Sequence, residues 1–410
     1  MRAYERLLRY VKVYTTSDPN SGAHPSSQRQ KDLGRILVDE MTEMGFLDAH
    51  MDEQGYVYGS LAASAGCENA PALGFVAHMD TAPSFSGEKV CPLVHENYDG
   101  KDVFLPKNGT VLKVQDFPFL AQHKGETLIT ADGSTLLGAD DKAGIAEILT
   151  ACEKIQKENL PHGKLCVAFT PDEEIGEGAL GFDVEHFGAD FAYTMDGGAV
   201  GGVEYENFNA ASAEIDIQGV SVHPGSAKDI MVNALLVACE LNSMLPAEEI
   251  PARTSGYQGF FHLDGLTGTD AHARMGYIVR DHDRQTFENR KRMLLEIVDR
   301  LNQKYPTASI RLKLHDSYYN MAEKIAPCMH LIENAKKATL DAGVEPSIEP
   351  IRGGTDGATL SYMGLPCPNL GTGGYNYHGP YECITAESMD KAVQILLNLT
   401  QAYRKPQGKE

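Results

Sequence analysis

Residues 135–157, TLLGADDKAGIAEILTACEKIQK, and residues 165–174, LCVAFTPDEE, read as a helix that feeds a strand. Ile145, Ile148, Leu149, Cys152 and Ile155 fall at i, i+3, i+4, i+7 and i+10. That spacing places them on one face of an amphipathic helix, with an aspartate near its start as cap. Pro161-His162-Gly163 breaks the helix, and an apolar run from Leu165 to Phe169 follows. Similar runs occur at Leu73–Ala77, ending in His78-Met79-Asp80, and at Phe191–Met195, ending in Asp196-Gly197-Gly198. Strands that are apolar throughout, alternating with a helix, predict an α/β domain with a parallel or mixed central sheet flanked by helices.

Outward from this unit the texture changes twice. Upstream, the first 45 residues read as helices around a turn at Asp18–Gly22, and residues 83–126 as a long loop with short strands. Downstream, the pattern from about residue 209 is strand, helix, two strands, charged helix, strand. This β-α-β-β-α-β order is that of a ferredoxin-like α+β sandwich. The expected division is therefore a discontinuous catalytic domain of residues 1–208 and 318–410, with an inserted domain of residues 209–317 and hinges near 208 and 317. Glycine-rich turns at 352–357 and 369–374 return to the first domain's texture.

Composition narrows the function. Lys and Arg total 36 against 57 Asp and Glu, a formal net charge of −21. A surface so acidic argues against nucleic acid or anionic membranes as partners, because both need basic groups to neutralise phosphate. No run approaches the ~20 apolar residues of a membrane helix. The charged start MRAYER lacks the apolar stretch of a signal peptide. Eight scattered cysteines without a Cys-x-x-Cys pair fit reduced thiols, and the expected location is the cytoplasm.

Five potential ligands close apolar strand-like runs or follow them: His78, Asp140, Glu174, Asp196 and His378. Sites in open α/β sheets assemble at the carboxyl ends of strands, where loops converge. Two imidazoles and three carboxylates suit zinc or a similar borderline divalent ion. Five ligands, one an aspartate able to bridge through both oxygens, suit two ions roughly 3.5–4 Å apart. Asp80, two residues after His78 on an extended chain, shares its face and can fix the imidazole tautomer. Adjacent Glu173 and Glu174 point different ways on an extended backbone, so one can bind metal while the other serves as general base.

These residues lie in longer motifs: GFVAHMDTAP at 74–83, LLGADDKAGIAEIL at 136–149, AFTPDEEIGEGA at 168–179, YTMDGG at 193–198, SVHPGSAKD at 221–229, RGGTDGA at 352–358 and GGYNYHG at 373–379. Together they resemble the dizinc peptidase family that includes aminoacylase and carboxypeptidase G, and within it the tripeptide aminopeptidase (peptidase T) branch. The resemblance spans nearly the whole chain.

It implies two Zn2+ ions bridged by Asp140, one held by His78 and Asp196 and the other by Glu174 and His378. It implies Glu173 as general base, Asp80 as the aspartate orienting the ligand histidine, and His223 of the inserted lid as a stabiliser of the oxyanion. Arg280 and Arg352 are candidates to clamp the carboxylate of a short peptide, since guanidinium binds carboxylate bidentately. Asn320 is a further candidate. The expected reaction is removal of the N-terminal residue from short peptides, tripeptides above all, by metal-assisted water attack. The lid of this family also makes a homodimer a possible assembly. No Gly-x-Ser-x-Gly elbow offers a rival serine nucleophile.

Overall fold

The computed structural model describes residues 1–405. The chain forms two compact units: Met1–Tyr205, Glu323–Glu349 and residues 355–405 make one, Glu206–Ala322 and Pro350–Gly354 the other.

The first unit is built on a seven-stranded mixed sheet. Its strands run, edge to edge, Leu47–Met51, Val57–Leu61, Leu165–Thr170, Leu73–His78, Phe191–Gly197, Asn369–Gly371 and Val203–Glu204. The third to sixth of these are parallel neighbours, and the outer pairings are antiparallel. Leu73–His78 and Leu165–Thr170 are buried at every position, which explains why neither shows a polar alternation. Helix Ala139–Lys157 covers Leu73–His78 and Phe191–Gly197 and is itself covered by helices Ala3–Tyr10 and Ala386–Ala402. Ile145, Ile148, Leu149, Cys152 and Ile155 are all in its buried face. Each Leu or Ile so buried contributes about 1.5–3 kcal/mol. The 83–126 excursion supplies strands Pro92–His95, Val103–Leu105 and Thr110–Leu112; Pro92–His95 joins a second sheet with Leu128–Ala131, Cys383–Thr385 and Gly374–Tyr375.

The second unit has an antiparallel sheet ordered Phe260–Gly268, His272–Asp281, Asn209–Gln218, Ser309–Tyr318, with helices Ala234–Ser243 and Arg284–Lys304. Taken in chain order the strands stand 2-3-1-4, the order of the ferredoxin-like sandwich. Along Asn209–Gln218 burial alternates, with Ala211, Ala213, Ile215 and Ile217 packed into a core shared with Phe287, Leu294 and Leu301 of the long helix. Asp283 caps that helix by accepting from the Thr286 N–H, and Asn233 caps the shorter one through the Leu236 N–H.

The boundaries lie slightly outside those expected, at 205/206 and 322/323 rather than 208/209 and 317/318. One segment moves between units. Residues 350–354, expected with the first domain, belong to the second, because Ile351 bridges to Asn207 and Arg352 donates to the carbonyls of Gly256 and Gln258. Among the described residues no helix is long and apolar enough to cross a membrane, and all eight cysteines are free thiols.

Candidate metal centre

Three parallel strands of the first unit deliver the site at their carboxyl ends. His78 is the last residue of its strand, Asp196 the last but one of its own, and Thr170 leads into Pro171-Asp172-Glu173-Glu174. The start of helix Ala139–Lys157 supplies Asp140, and the loop after Gly374–Tyr375 supplies His378.

The five expected ligands converge. Asp140 lies between the two imidazoles: its Oδ1 is 2.9 Å from His78 Nε2 and its Oδ2 is 3.0 Å from His378 Nε2. His78 Nε2 is also 3.5 Å from Asp196 Oδ1, and His378 Nε2 is 3.0 Å from Glu174 Oε2. The arrangement therefore has two halves, His78 with Asp196 and His378 with Glu174, and one carboxylate common to both. Glu174 Oε1 is buried with no hydrogen-bond partner.

Crowding of like charge sets the electrostatics. Burial and then the neighbouring Asp140 push Glu174 up to about 7. Asp196 is raised, chiefly by burial. Asp140 is held below the usual carboxylate range: burial opposes this, but hydrogen bonds from His378 and His78 outweigh it. Hydrogen bonds to Asp140 and Glu174 lift His378 to about 11. His78 is raised despite burial, through Asp140 and Asp196. Three carboxylates against two imidazoles, at donor separations of 2.9–3.5 Å, form a set that divalent cations fit in both charge and chemistry.

A second layer holds these donors. Asp80 is fully buried, and its carboxylate accepts from the backbone N–H groups of Glu173 (3.1 Å) and Glu174 (3.2 Å) while lying 3.3 Å from His78 Nδ1. One carboxylate thus ties the histidine to the acidic turn. The helix start is unusual. Asp140 and Asp141 have non-helical dihedrals, and their peptide bond is cis. Asp141 is the residue that caps: its Oδ1 accepts from Gly144 N at 3.2 Å and its Oδ2 from His78 N at 3.1 Å. Asp140 is left facing the imidazoles.

Three residues of this layer were missed in the sequence. Glu382, buried, accepts from the N–H groups of Leu137, Gly138 and Asp140 at 2.7–3.1 Å and so cradles the segment that presents Asp140. It follows His378 by four residues, a spacing that is its only signal. Asp172, inside the quoted TPDEE motif, is buried in left-handed backbone (φ 59°). Its carboxylate accepts from Ser26 N at 2.6 Å, from the Ser26 hydroxyl and from Gln30 Nε2 at 2.5 Å. Asp356, inside the quoted RGGTDGA motif, accepts from Thr170 Oγ1 at 2.7 Å and packs against Gly178, where a Cβ would collide with it. Burial pushes it up to about 7.

Glu173 begins the turn beside this cluster. Burial, with Asp196 next in effect, raises its carboxyl well above the ordinary range. An open cleft of about 620 Å³, lined by Thr16–Asn20, Arg29, Ala82–Ser84, Glu174 and His378, leads to the second half of the cluster.

The remaining expected site residues belong to the second unit. His223 is exposed on a short turn, its Nδ1 accepting from Gly225 N. Arg280 donates through Nη1 to the Arg352 carbonyl, and its Nε is buried without a partner. Arg352 is committed to its own unit: both terminal nitrogens donate to residues 254–258, and its guanidinium stacks over Phe208. Asn320 is likewise a strut, accepting from Asn207 N and Ala322 N and donating to the His282 carbonyl.

Comparison with known proteins agrees with this architecture. Residues 128–402 match the model of peptidase family M20/M25/M40. The chain is 52% identical over 402 residues to a peptidase T of Clostridium novyi, covering 98% of each protein. The chain belongs to the M20/M25/M40 peptidase family. Its fold is that of solved relatives. The crystal structure of aminopeptidase PepT from Bacillus cereus superposes with a TM-score of 0.79 at 21% identity, covering 98% of both chains. A Bacillus subtilis protein described as a dinuclear metal binding peptidase from the M20 family gives 0.63 at 15% identity, covering 97% of both chains.

Proposed function

We propose that this peptidase is a dizinc aminopeptidase that removes the N-terminal residue from tripeptides. The observation that carries the reading is the placement of Asp140, with one oxygen toward His78 and Asp196 and the other toward His378 and Glu174. His78 and Asp196 would hold one ion, His378 and Glu174 the other, and Asp140 both. Bound there, two zinc ions would polarise the scissile carbonyl and acidify a water.

The chain's own groups do the rest. Glu173 takes a proton from the attacking water and returns it to the leaving amine, a role suited to a carboxyl whose surroundings raise its proton affinity. Asp80 keeps Glu173, Glu174 and His78 in one frame through the contacts described above. The cleft beside Glu174 and His378 receives the peptide's first residue. In the second unit, His223 is assigned to the oxyanion. Arg280, with an unpartnered Nε, is a better carboxylate clamp than Arg352 or Asn320, whose polar atoms are engaged. Both arginines and Asn320 remain assigned to the substrate end of the reaction in that order. An acidic surface and the family's peptide chemistry suit a cytoplasmic catabolic enzyme.

The test is release of the N-terminal amino acid from a tripeptide, with an N-acetylated tripeptide as control. Release is expected, abolished by a chelator and restored by zinc, with the acetylated peptide resistant. Equal cleavage of the acetylated peptide would identify an amidase without a need for a free amino end.

A further inference from the structure

A second group of metal-type donors lies at the edge of the central sheet. Strand Leu47–Met51 is the outermost strand, three places from the strand that carries His78. It holds Asp48 and His50, and helix Val184–Phe187 brings His186 beside them. His186 Nε2 is 3.2 Å from Asp48 Oδ2, and His50 Nδ1 is 3.5 Å from Asp48 Oδ1. One donor atom from each of the three residues lies within 4.8 Å of the others. A tetrahedral ion with ligands at about 2.0–2.1 Å needs donor separations of about 3.4 Å. The two measured separations run to different oxygens of Asp48, so one ion needs a small turn of that carboxylate to present a single oxygen to both imidazoles.

Local structure favours the grouping. Asp48 is in left-handed backbone (φ 52°), and the pairing with Val57–Leu61 slips between Leu47 and His50. Regular alternation is interrupted there, and the Asp48 carboxylate turns toward both histidines. The two rings meet edge to face at 5.1 Å, and each packs against Tyr58, at 5.7 and 5.4 Å. Tyr58 is buried and accepts the Asp183 N–H at 3.0 Å, so it is a fixed floor for both imidazoles. Asp183 in turn caps the helix that carries His186. A small groove beside them is lined by Asp48, Tyr58, Lys164 and His186, among others. His50 Nδ1 can donate to the Asp48 carbonyl at 2.9 Å, a hydrogen bond that an ion at this nitrogen would replace.

We propose that Asp48, His50 and His186 form a peripheral binding site for a divalent transition ion of the zinc type, separate from the catalytic cluster. Two imidazoles with a single carboxylate select zinc, nickel or copper over calcium or magnesium, which require oxygen-rich shells. Three protein donors leave positions for water, so the ion exchanges readily. The plain alternative is a pair of exposed His–Asp contacts of little energetic weight.

The experiment compares metal content. Chelator-stripped wild-type protein is dialysed against buffered free Zn2+, beside the variants His186→Ala and His50→Gln, and zinc per chain is measured by emission spectroscopy. The wild type is expected to hold one more equivalent than either variant, with hydrolysis of a tripeptide unchanged. Because the readout is a difference, it holds whatever number of ions the catalytic cluster takes. If a variant loses hydrolysis as well, Asp48→Asn decides by the same measure, since that side chain is 67% exposed and the folded variant is confirmed by circular dichroism before zinc is counted. Equal zinc content in the wild type and the folded variants overturns the proposal.

Discussion

The two donor clusters of the first unit use the same chemistry under opposite conditions. In the catalytic cluster His78 is 2% exposed and its neighbours are carboxylates held in turn by buried hydrogen bonds. At the sheet edge His50 and His186 are 38% and 41% exposed, and ring packing against Tyr58 is their main support. Burial strengthens every charge interaction and makes an unpaired carboxylate expensive, so the inner cluster needs cationic partners and a second layer of donors. An ion at the proposed outer site would exchange with water at little cost. The difference teaches that ligand identity alone does not separate a catalytic centre from a surface site. What separates them is the frame around the ligands.

The contrast can be broken at several points. The largest effect is expected at Glu173, which sits in the inner frame without being a proposed ligand. Glu173→Gln should lower kcat by about 10²–10⁴-fold while zinc content stays at the wild-type level. Retained turnover would remove Glu173 from the role of base. Next comes Glu382, whose carboxylate collects three backbone N–H groups below Asp140. Glu382→Gln should weaken zinc binding about 10–100-fold in a competition titration with a chromophoric chelator. A smaller effect is expected at Gln30. Replacing it by Ala removes one donor from buried Asp172, and should lower stability by about 1–3 kcal/mol in urea unfolding. Wild-type stability in that variant would show the clamp on the acidic turn to be dispensable. Smallest of all, His186→Ala should leave tripeptide hydrolysis within experimental scatter, since that residue touches none of the catalytic donors.

The convergence of the inner donors is legible in the sequence where a residue ends an apolar run, as His78 and Asp196 do, because periodicity locates a strand end. Asp80 was legible for the same reason, through its two-residue offset from His78. The structure adds that its carboxylate also receives the Glu173 and Glu174 N–H groups. Glu382, Asp172 and Asp356 carry no such signal, although Asp172 and Asp356 lie within the motifs at 168–179 and 352–358. Their partners are backbone, hydroxyl or side-chain amide groups up to 245 residues away, and no local pattern records such a contact. The helix cap was half legible. An aspartate near the start was expected, but which of Asp140 and Asp141 caps depends on dihedrals at that junction. The mixed character of the central sheet and the ferredoxin-like arrangement of the second unit follow from texture, whereas the transfer of residues 350–354 to the second unit follows from Arg352 contacts that spacing does not reveal.

The shared role of Asp140 is the centre of the account, and anomalous diffraction from zinc-loaded crystals tests it most directly. Two strong peaks are expected between His78 and His378, with one Asp140 oxygen on each, Asp196 on the His78 side and Glu174 on the His378 side. A single peak, or two peaks with Asp140 bound to only one, would contradict it.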